Sequence, residues 1–520
     1  MQALSHDLVA QVAASAYSAA CVVAFSLALL RLRPPALRTA ACLAASAALC
    51  LGQPLIYASP TQPAAIGLAS LCAMTTWSLW GLLLLPRRQL PQSIMGIFWA
   101  CFMDGMDGCR AVHARRLARR QTAAHAADPA THAPHADAAA AASAASACPV
   151  PSAPSDEGAG AGATAAAEVG PKQRSRGRQL VHVEALPAGT SCPVQHAEHG
   201  DGSLPPTPAA DSADTGGSDT PAPALLPAAW TLCRLVITYD VGFAALCCGG
   251  LFGCMCSAAP LDTLLSAPQR LGPLAQIFGP RAAYVAWALA AGTLLPLQMG
   301  IAYALTRLAL IAAARWGAPL LTPAKRRELA DLARQLPPEV FDTPLASLSI
   351  SEFWAERWHQ FLRHHFQAGL GHRIVDAAAR PAIDRLLPPG AAVPAARRAA
   401  LAVAGTAVAF TMSGLMHEYL SWAAWGEVSG RYMAFFGLHG LAVVAEGLGT
   451  RLAPKLAARV PTLLRRAYVV GFAAAVSPLF VETYRRHGYF GACAYHPLLA
   501  PVTATLLRRG GWCAAGCGLA

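Results

Sequence analysis

Charged side chains are scarce. Asp, Glu, Lys and Arg make up 13% of 520 residues while 55% are apolar, and the mean hydropathy is +0.39. A soluble globular chain carries about 25% charged residues, so this one lacks the polar surface to cover itself in water, and a membrane protein is expected. A basic patch interleaved with aromatics is also missing. The excess of 40 Lys and Arg over 28 Asp and Glu is therefore read as loops facing anionic lipid, and nucleic acid is not expected as a partner. The sixteen cysteines supply no C-x-x-C pair with a matching second pair or histidine knuckle, so no metal site is expected. Cys21, Cys50, Cys247 and Cys248 lie inside apolar runs, where cysteine acts as a small hydrophobe in a reducing compartment. The first apolar run has no basic region before it and is longer than the core of a signal peptide, which predicts a retained anchor.

What is present is a series of long apolar runs. Segments able to cross about 30 Å of hydrocarbon as helix lie near residues 8–30, 40–58, 64–85, 241–259, 282–314, 399–424, 432–448 and 467–483, with shorter candidates at 93–103 and 497–507. The expected fold is all-α and polytopic, with roughly eight to ten transmembrane helices around an intramembrane tunnel. Residues 1–103 are expected to form the N-terminal transmembrane helices and 224–330 the central ones, with 331–520 a further region that holds the candidate chemistry. Between 104 and 223 the chain turns to Ala, Pro, Ser, Gly, His and Asp, too poor in apolar surface to offset its ordering entropy, and reads as a disordered cytosolic insert. Arg31, Arg33 and Arg38, then Arg87 and Arg88, mark alternate loops as cytosolic. Lys325, Arg326 and Arg327, and Arg451, Lys455, Arg465 and Arg466, fit that scheme, whereas Arg485 and Arg486 fall on the wrong side of it.

Two stretches hold candidate chemistry. From Leu336 to Phe366, Ser349 with Glu352 forms a capping box. Ile350, Phe353, Trp354, Trp358, Phe361, Leu362 and His365 then recur at helical spacing, with Glu352, Glu356, His359 and Arg363 opposite. This predicts an amphipathic helix beside the membrane, read either as a solvated interfacial face or as part of a site. The second stretch is F-T-M-S-G-L-M-H-E-Y-L, Phe410 to Leu420. An ionisable pair in an apolar span is costly and faces a protein interior or a wet cavity. Thr406, Ser413 and Ser421 fall within about 40° of His417 on a helical wheel, whereas Val408, Met412, Leu415 and Tyr419 lie opposite. The small strip suits a tunnel wall, and a structural histidine bonded between helices is the competing reading. A neutral imidazole there can take a proton from an alcohol attacking a carbonyl. There is no G-x-S-x-G elbow, no H-E-x-x-H, no Walker loop and no G-x-G-x-x-G after a strand.

These residues resemble the membrane-bound O-acyltransferases, specifically the wax-synthase-like branch. Members look similar in a serine a few residues before F-W-x-x-R-W-(Asn or His), followed after a span by S-G-x-x-H. Here the first run is Ser349, Phe353, Trp354, Arg357, Trp358 and His359, and the second Ser413, Gly414 and His417. Plant wax synthases typically carry asparagine at the position of His359, and Ala355 and Glu356 stand where relatives often have Gly-Arg. His364-His365 looks like the H-H-x-x-x-D-G motif of the soluble acyltransferases, but Gly369 replaces its aspartate.

The resemblance implies that His417 and His359 are catalytic, His417 as general base, with Trp354, Arg357, Trp358 and Ser413 binding substrate. It implies a multi-pass protein of the endoplasmic reticulum membrane that needs no cofactor. The protein would move a long-chain acyl group from acyl-CoA, its co-substrate, to a fatty alcohol within membrane lipid, giving a wax ester. A sterol, glycerolipid or secondary-metabolite hydroxyl is the alternative acceptor. A transporter or scaffold is the alternative class, and it would require inverted repeats with broken helices in both halves; Pro296 has no clear counterpart.

Overall fold

A computed structural model describes residues 2–56, 63–83, 225–247, 272–317, 319–358, 370–387 and 393–490, with isolated positions between 87 and 97, at 114 and between 252 and 266. They fall within one compact unit, Met1–Ala114 with Pro187–Ala520; the other unit, Arg115–Leu186, lies outside the described residues. So does the insert expected over 104–223, Ala114 excepted, and so do the candidate span at 497–507 and His359.

Among the described residues every regular element is a helix, with no strand. The longer helices are α1 (Gln2–Arg31), α2 (Pro35–Ile56), α3 (Pro63–Leu83), α4 (Leu225–Cys247), α5 (Pro280–Trp316), α6 (Pro323–Gln335), α7 (Val393–Trp425), α8 (Arg431–Leu452) and α9 (Thr462–Arg486). Six segments among the described residues are long and apolar enough to cross a membrane: Val9–Arg31, Pro35–Ile56, Pro280–Trp316, Pro394–Trp425, Arg431–Leu452 and Thr462–Arg486. The run expected to span at 241–259 is placed differently. Its helix occupies Leu225–Cys247, and residues 257–260 are non-helical. Outward positions such as Leu51, Leu415 and Leu441 are exposed leucines, as expected where a helix meets lipid instead of water.

α1 packs on α2, and both meet α3; α4 and α9 pack on α5; α7 packs on α3 and α8; and α8 packs on α9. Cys21, Cys42 and Cys72 are buried free thiols in the first of these groups. At the centre of the α4–α5–α9 group Trp287 is fully buried, with Phe490 edge-on at 5.4 Å. Gln298 ties the group together by donating to the Tyr239 hydroxyl at 2.7 Å and accepting from the Tyr489 hydroxyl at 2.6 Å. The two arginines that break the charge scheme are both bonded to carboxylates. Arg485 has no exposed surface, bonds Glu482 at 2.7 Å through two nitrogens, and donates to the Ser257 and Ala259 carbonyls at 2.5 and 2.7 Å. Arg486 pairs with Glu427 at 2.7 Å. Arg485 is an interior residue, so it reports nothing about which side of the membrane its helix end faces.

Candidate active site

The segment before α7 is built by local capping. Ser349 Oγ accepts from the Glu352 amide at 2.9 Å, as the capping box predicts, while the Glu352 carboxylate reaches back to the Leu348 amide at 2.8 Å. The next two free amides go elsewhere: Ile350 and Ser351 donate to the Glu446 carboxylate of α8 at 2.6 and 2.9 Å, and the Ser351 hydroxyl adds a bond at 2.8 Å. A helix start leaves its first amides without intrahelical partners, and here the Glu446 carboxylate and the Ser349 hydroxyl take them. The first turn, Ile350–Glu352, then widens into a π-helical turn over Phe353–Arg357. Trp358 leaves that turn in extended conformation, so the helix expected to run on through His365 stops being helical at Arg357. The positions from 359 to 369 lie outside the described residues.

The wide turn gathers aromatics. Trp354 and Trp358 have ring centroids 5.4 Å apart, and Phe353 lies 5.2 and 5.1 Å from them. Arg357 is committed locally. Its Nε donates to Glu352 at 2.7 Å and its Nη1 to the Asp342 carbonyl at 3.2 Å, while its own carbonyl accepts from the Asp342 amide at 2.9 Å. It therefore locks the motif onto the preceding loop, where Thr343 takes a positive φ of 43°.

His417 sits on α7 with Nδ1 2.8 Å from the Ser413 carbonyl oxygen. A carbonyl only accepts, so Nδ1 carries the ring proton and Nε2 keeps its lone pair. Ser413, expected to bind substrate, meets His417 through its backbone oxygen. The ring is packed against aromatics of two neighbouring helices: Phe436 at 4.7 Å, Tyr432 at 5.7 Å and Phe480 at 5.1 Å. Glu418 is turned away to cap α8, accepting from the amides of Ser429 at 2.9 Å, Tyr432 at 3.0 Å and Met433 at 3.4 Å. This accounts for a buried carboxylate beside a histidine: it neutralises the helix start that carries the histidine's own aromatic neighbours.

The strip of small residues has a packing function as well. A side chain at Gly414 would meet the Met433 Sδ at 2.6 Å, so glycine allows α7 and α8 to touch there. On the far side of α7, Met412, Met416 and Leu420 pack on Ala69 and Ala73 of α3. His417 therefore faces protein on the α8–α9 side.

Sequence reasoning does not reach His439 or Glu446, although both carry the signal that marks His417, an ionisable group inside an apolar span. His439 is 3% exposed, and its Nδ1 is held 2.9 Å from the Phe435 carbonyl in the arrangement seen at His417. Trp354 stands edge-on to it at 5.1 Å and also touches Phe436 at 5.7 Å. Phe436 thus lies between the two histidine neighbourhoods, and Trp354 brings the capped segment into the same aromatic enclosure.

Neither the curated proteins nor the solved structures contain a match to this chain. Residues 337–438 match the family described as membrane bound O-acyl transferase, a stretch that takes in the capped segment, α7 and His417. That match makes residues 337–438 similar to the membrane-bound O-acyltransferases, and the six long apolar helices among the described residues fit a multi-pass membrane protein.

Proposed function

We propose that the protein transfers a long-chain acyl group from acyl-CoA to a lipid hydroxyl, with a fatty alcohol as acceptor and a wax ester as product. The observation that carries this reading is the fixed tautomer of His417. With Nδ1 bound to the Ser413 carbonyl at 2.8 Å, the ring offers Nε2 as a base to a group entering the aromatic enclosure. As the acceptor oxygen attacks the thioester carbonyl, its proton passes to Nε2. The tetrahedral intermediate collapses with cleavage of the C–S bond, and the imidazolium returns the proton to the departing thiolate. Packing around the ring by Tyr432, Phe436 and Phe480 keeps water from competing as nucleophile.

His359 acts as a second active-site residue that positions donor or acceptor. Trp354 and Trp358 line the donor side, and Arg357 and Ser413 hold the two walls in register. Acyl-CoA enters from the cytosolic face near residues 350–358, and the alcohol arrives through the bilayer of the endoplasmic reticulum into an intramembrane tunnel.

The test is expression in a host lacking neutral-lipid acyltransferases, fed a fatty alcohol, a sterol or a diacylglycerol separately, with lipids identified by mass spectrometry. Wax esters in the alcohol-fed cells alone are the expected result. Esters of the sterol or glycerolipid would reassign the acceptor, and no new ester in any culture would overturn acyl transfer.

A further inference from the structure

We propose that His439 and Trp354 form a polar subsite that binds the first amide of the donor's pantetheine arm. The proposal rests on the acyl-CoA reading and deepens it.

Two polar atoms stand out in an otherwise aromatic neighbourhood. The indole Nε1 of Trp354 is buried with no hydrogen-bond partner among the described residues, and a buried unsatisfied donor carries a desolvation penalty unless a partner meets it. His439 presents the complementary atom. Its Nδ1–H is used on the Phe435 carbonyl, so Nε2 is an acceptor, and among the described residues nothing donates to it. The two rings touch at 5.1 Å with an interplanar angle of 89°. Phe435 and Phe472 complete the apolar walls at 4.3 and 5.0 Å from the His439 ring. One N–H donor beside one lone pair, within apolar walls, is the complement of a secondary amide, whose carbonyl accepts and whose N–H donates.

The spacing agrees. Tyr432, Phe436 and His439 share one face of α8 at i, i+4 and i+7, and the His417 ring lies beside the first two at 5.7 and 4.7 Å, so His439 lies between about 4.5 and 10 Å along the axis from the level of that ring. From Nε2 of His417, a hydrogen bond of about 2.8 Å followed by hydroxyl oxygen, acyl carbon, sulfur, two methylenes and the amide nitrogen reaches about 10 Å at full extension, enough to cover that rise. The direction agrees as well. Trp354 comes from the capped segment outside the spans, so the His439 end of the enclosure is the end next to that segment, on the donor's route of entry. The subsite would hold the thioester at a fixed depth and leave the His417 end to the acceptor.

The experiment compares three donors with the same acyl chain: acyl-CoA, an N-acetylcysteamine thioester that keeps the first amide, and an alkanethiol thioester that lacks it. Trp354→Phe removes the N–H and keeps a ring; His439→Leu removes the acceptor; His439→Gln restores an oxygen near the position of Nε2. With the two amide-bearing donors, Trp354→Phe and His439→Leu each raise KM about tenfold with a smaller change in kcat, and His439→Gln recovers part of the loss. With the alkanethiol thioester the losses shrink to about twofold or less. Equal losses on all three donors would overturn the assignment. If His439→Leu does not accumulate, Trp354→Phe alone decides between these outcomes. Wild-type protein inert toward all three donors would instead refute acyl transfer itself, and the subsite with it.

Discussion

Two polar clusters are buried among the apolar helices, and they are built in opposite ways. Around Arg485 every strong group is committed. The guanidinium meets both Glu482 oxygens and two backbone carbonyls, and the Tyr284 hydroxyl completes the carboxylate at 2.5 Å. Around His417 the only hydrogen bond among the described residues fixes the ring, the neighbouring carboxylate is spent on α8 amides, and the ring packs on aromatic surface. A satisfied network gives structure, because breaking it leaves a bare charge in a medium of low dielectric. An oriented but uncommitted base gives chemistry. On the proposed reading, function lies where hydrogen bonding is incomplete and stability where it is complete.

The largest effect on accumulation is expected at the satisfied cluster. Arg485→Ala leaves Glu482 buried without its partner and should destabilise by about 3 to 5 kcal/mol, read as lost membrane accumulation and a lower inactivation temperature in detergent. Arg485→Leu combined with Glu482→Leu should recover much of that loss, since the buried charge is gone. A single variant that accumulates normally would break the comparison. Next comes Glu418→Ala, which frees the first amides of α8 and should cost about 2 kcal/mol, with Glu418→Gln costing less because an oxygen acceptor remains. If Gln were as harmful as Ala, the capping account of Glu418 would be wrong. The smallest effect belongs to Arg486→Ala. Its pair with Glu427 is 41% exposed on the arginine side, and the change in inactivation temperature should correspond to less than about 1 kcal/mol.

What could be read from the sequence was what depends on neighbours in the chain. Ser349 and Glu352 signal a helix start because a capping box spans four consecutive residues, and the bond at 2.9 Å is there. His417 was legible because an imidazole in an apolar run needs a reason, and Ser413 because it lies one turn away. Contacts between distant segments were not legible. Arg485 looks like a loop charge until the Ser257 and Ala259 carbonyls are brought to it from more than two hundred residues away. Glu446 looks like a charge near a helix end until the amides of Ile350 and Ser351 arrive. Hydropathy also misplaced the helix at 225–247. It weighs the run at 241–259 by composition and does not register that Arg234 can pair with Glu339 and that Asp240 can be buried. Gly414 was legible as a member of a small strip, but not as the contact point with Met433.

The most direct measurement is acyl transfer by His417→Ala in microsomes supplied with acyl-CoA and fatty alcohol, with the amount of membrane-inserted protein determined in parallel. The account predicts product formation reduced about a thousandfold at unchanged protein level. Turnover close to wild type from the same amount of protein would contradict it.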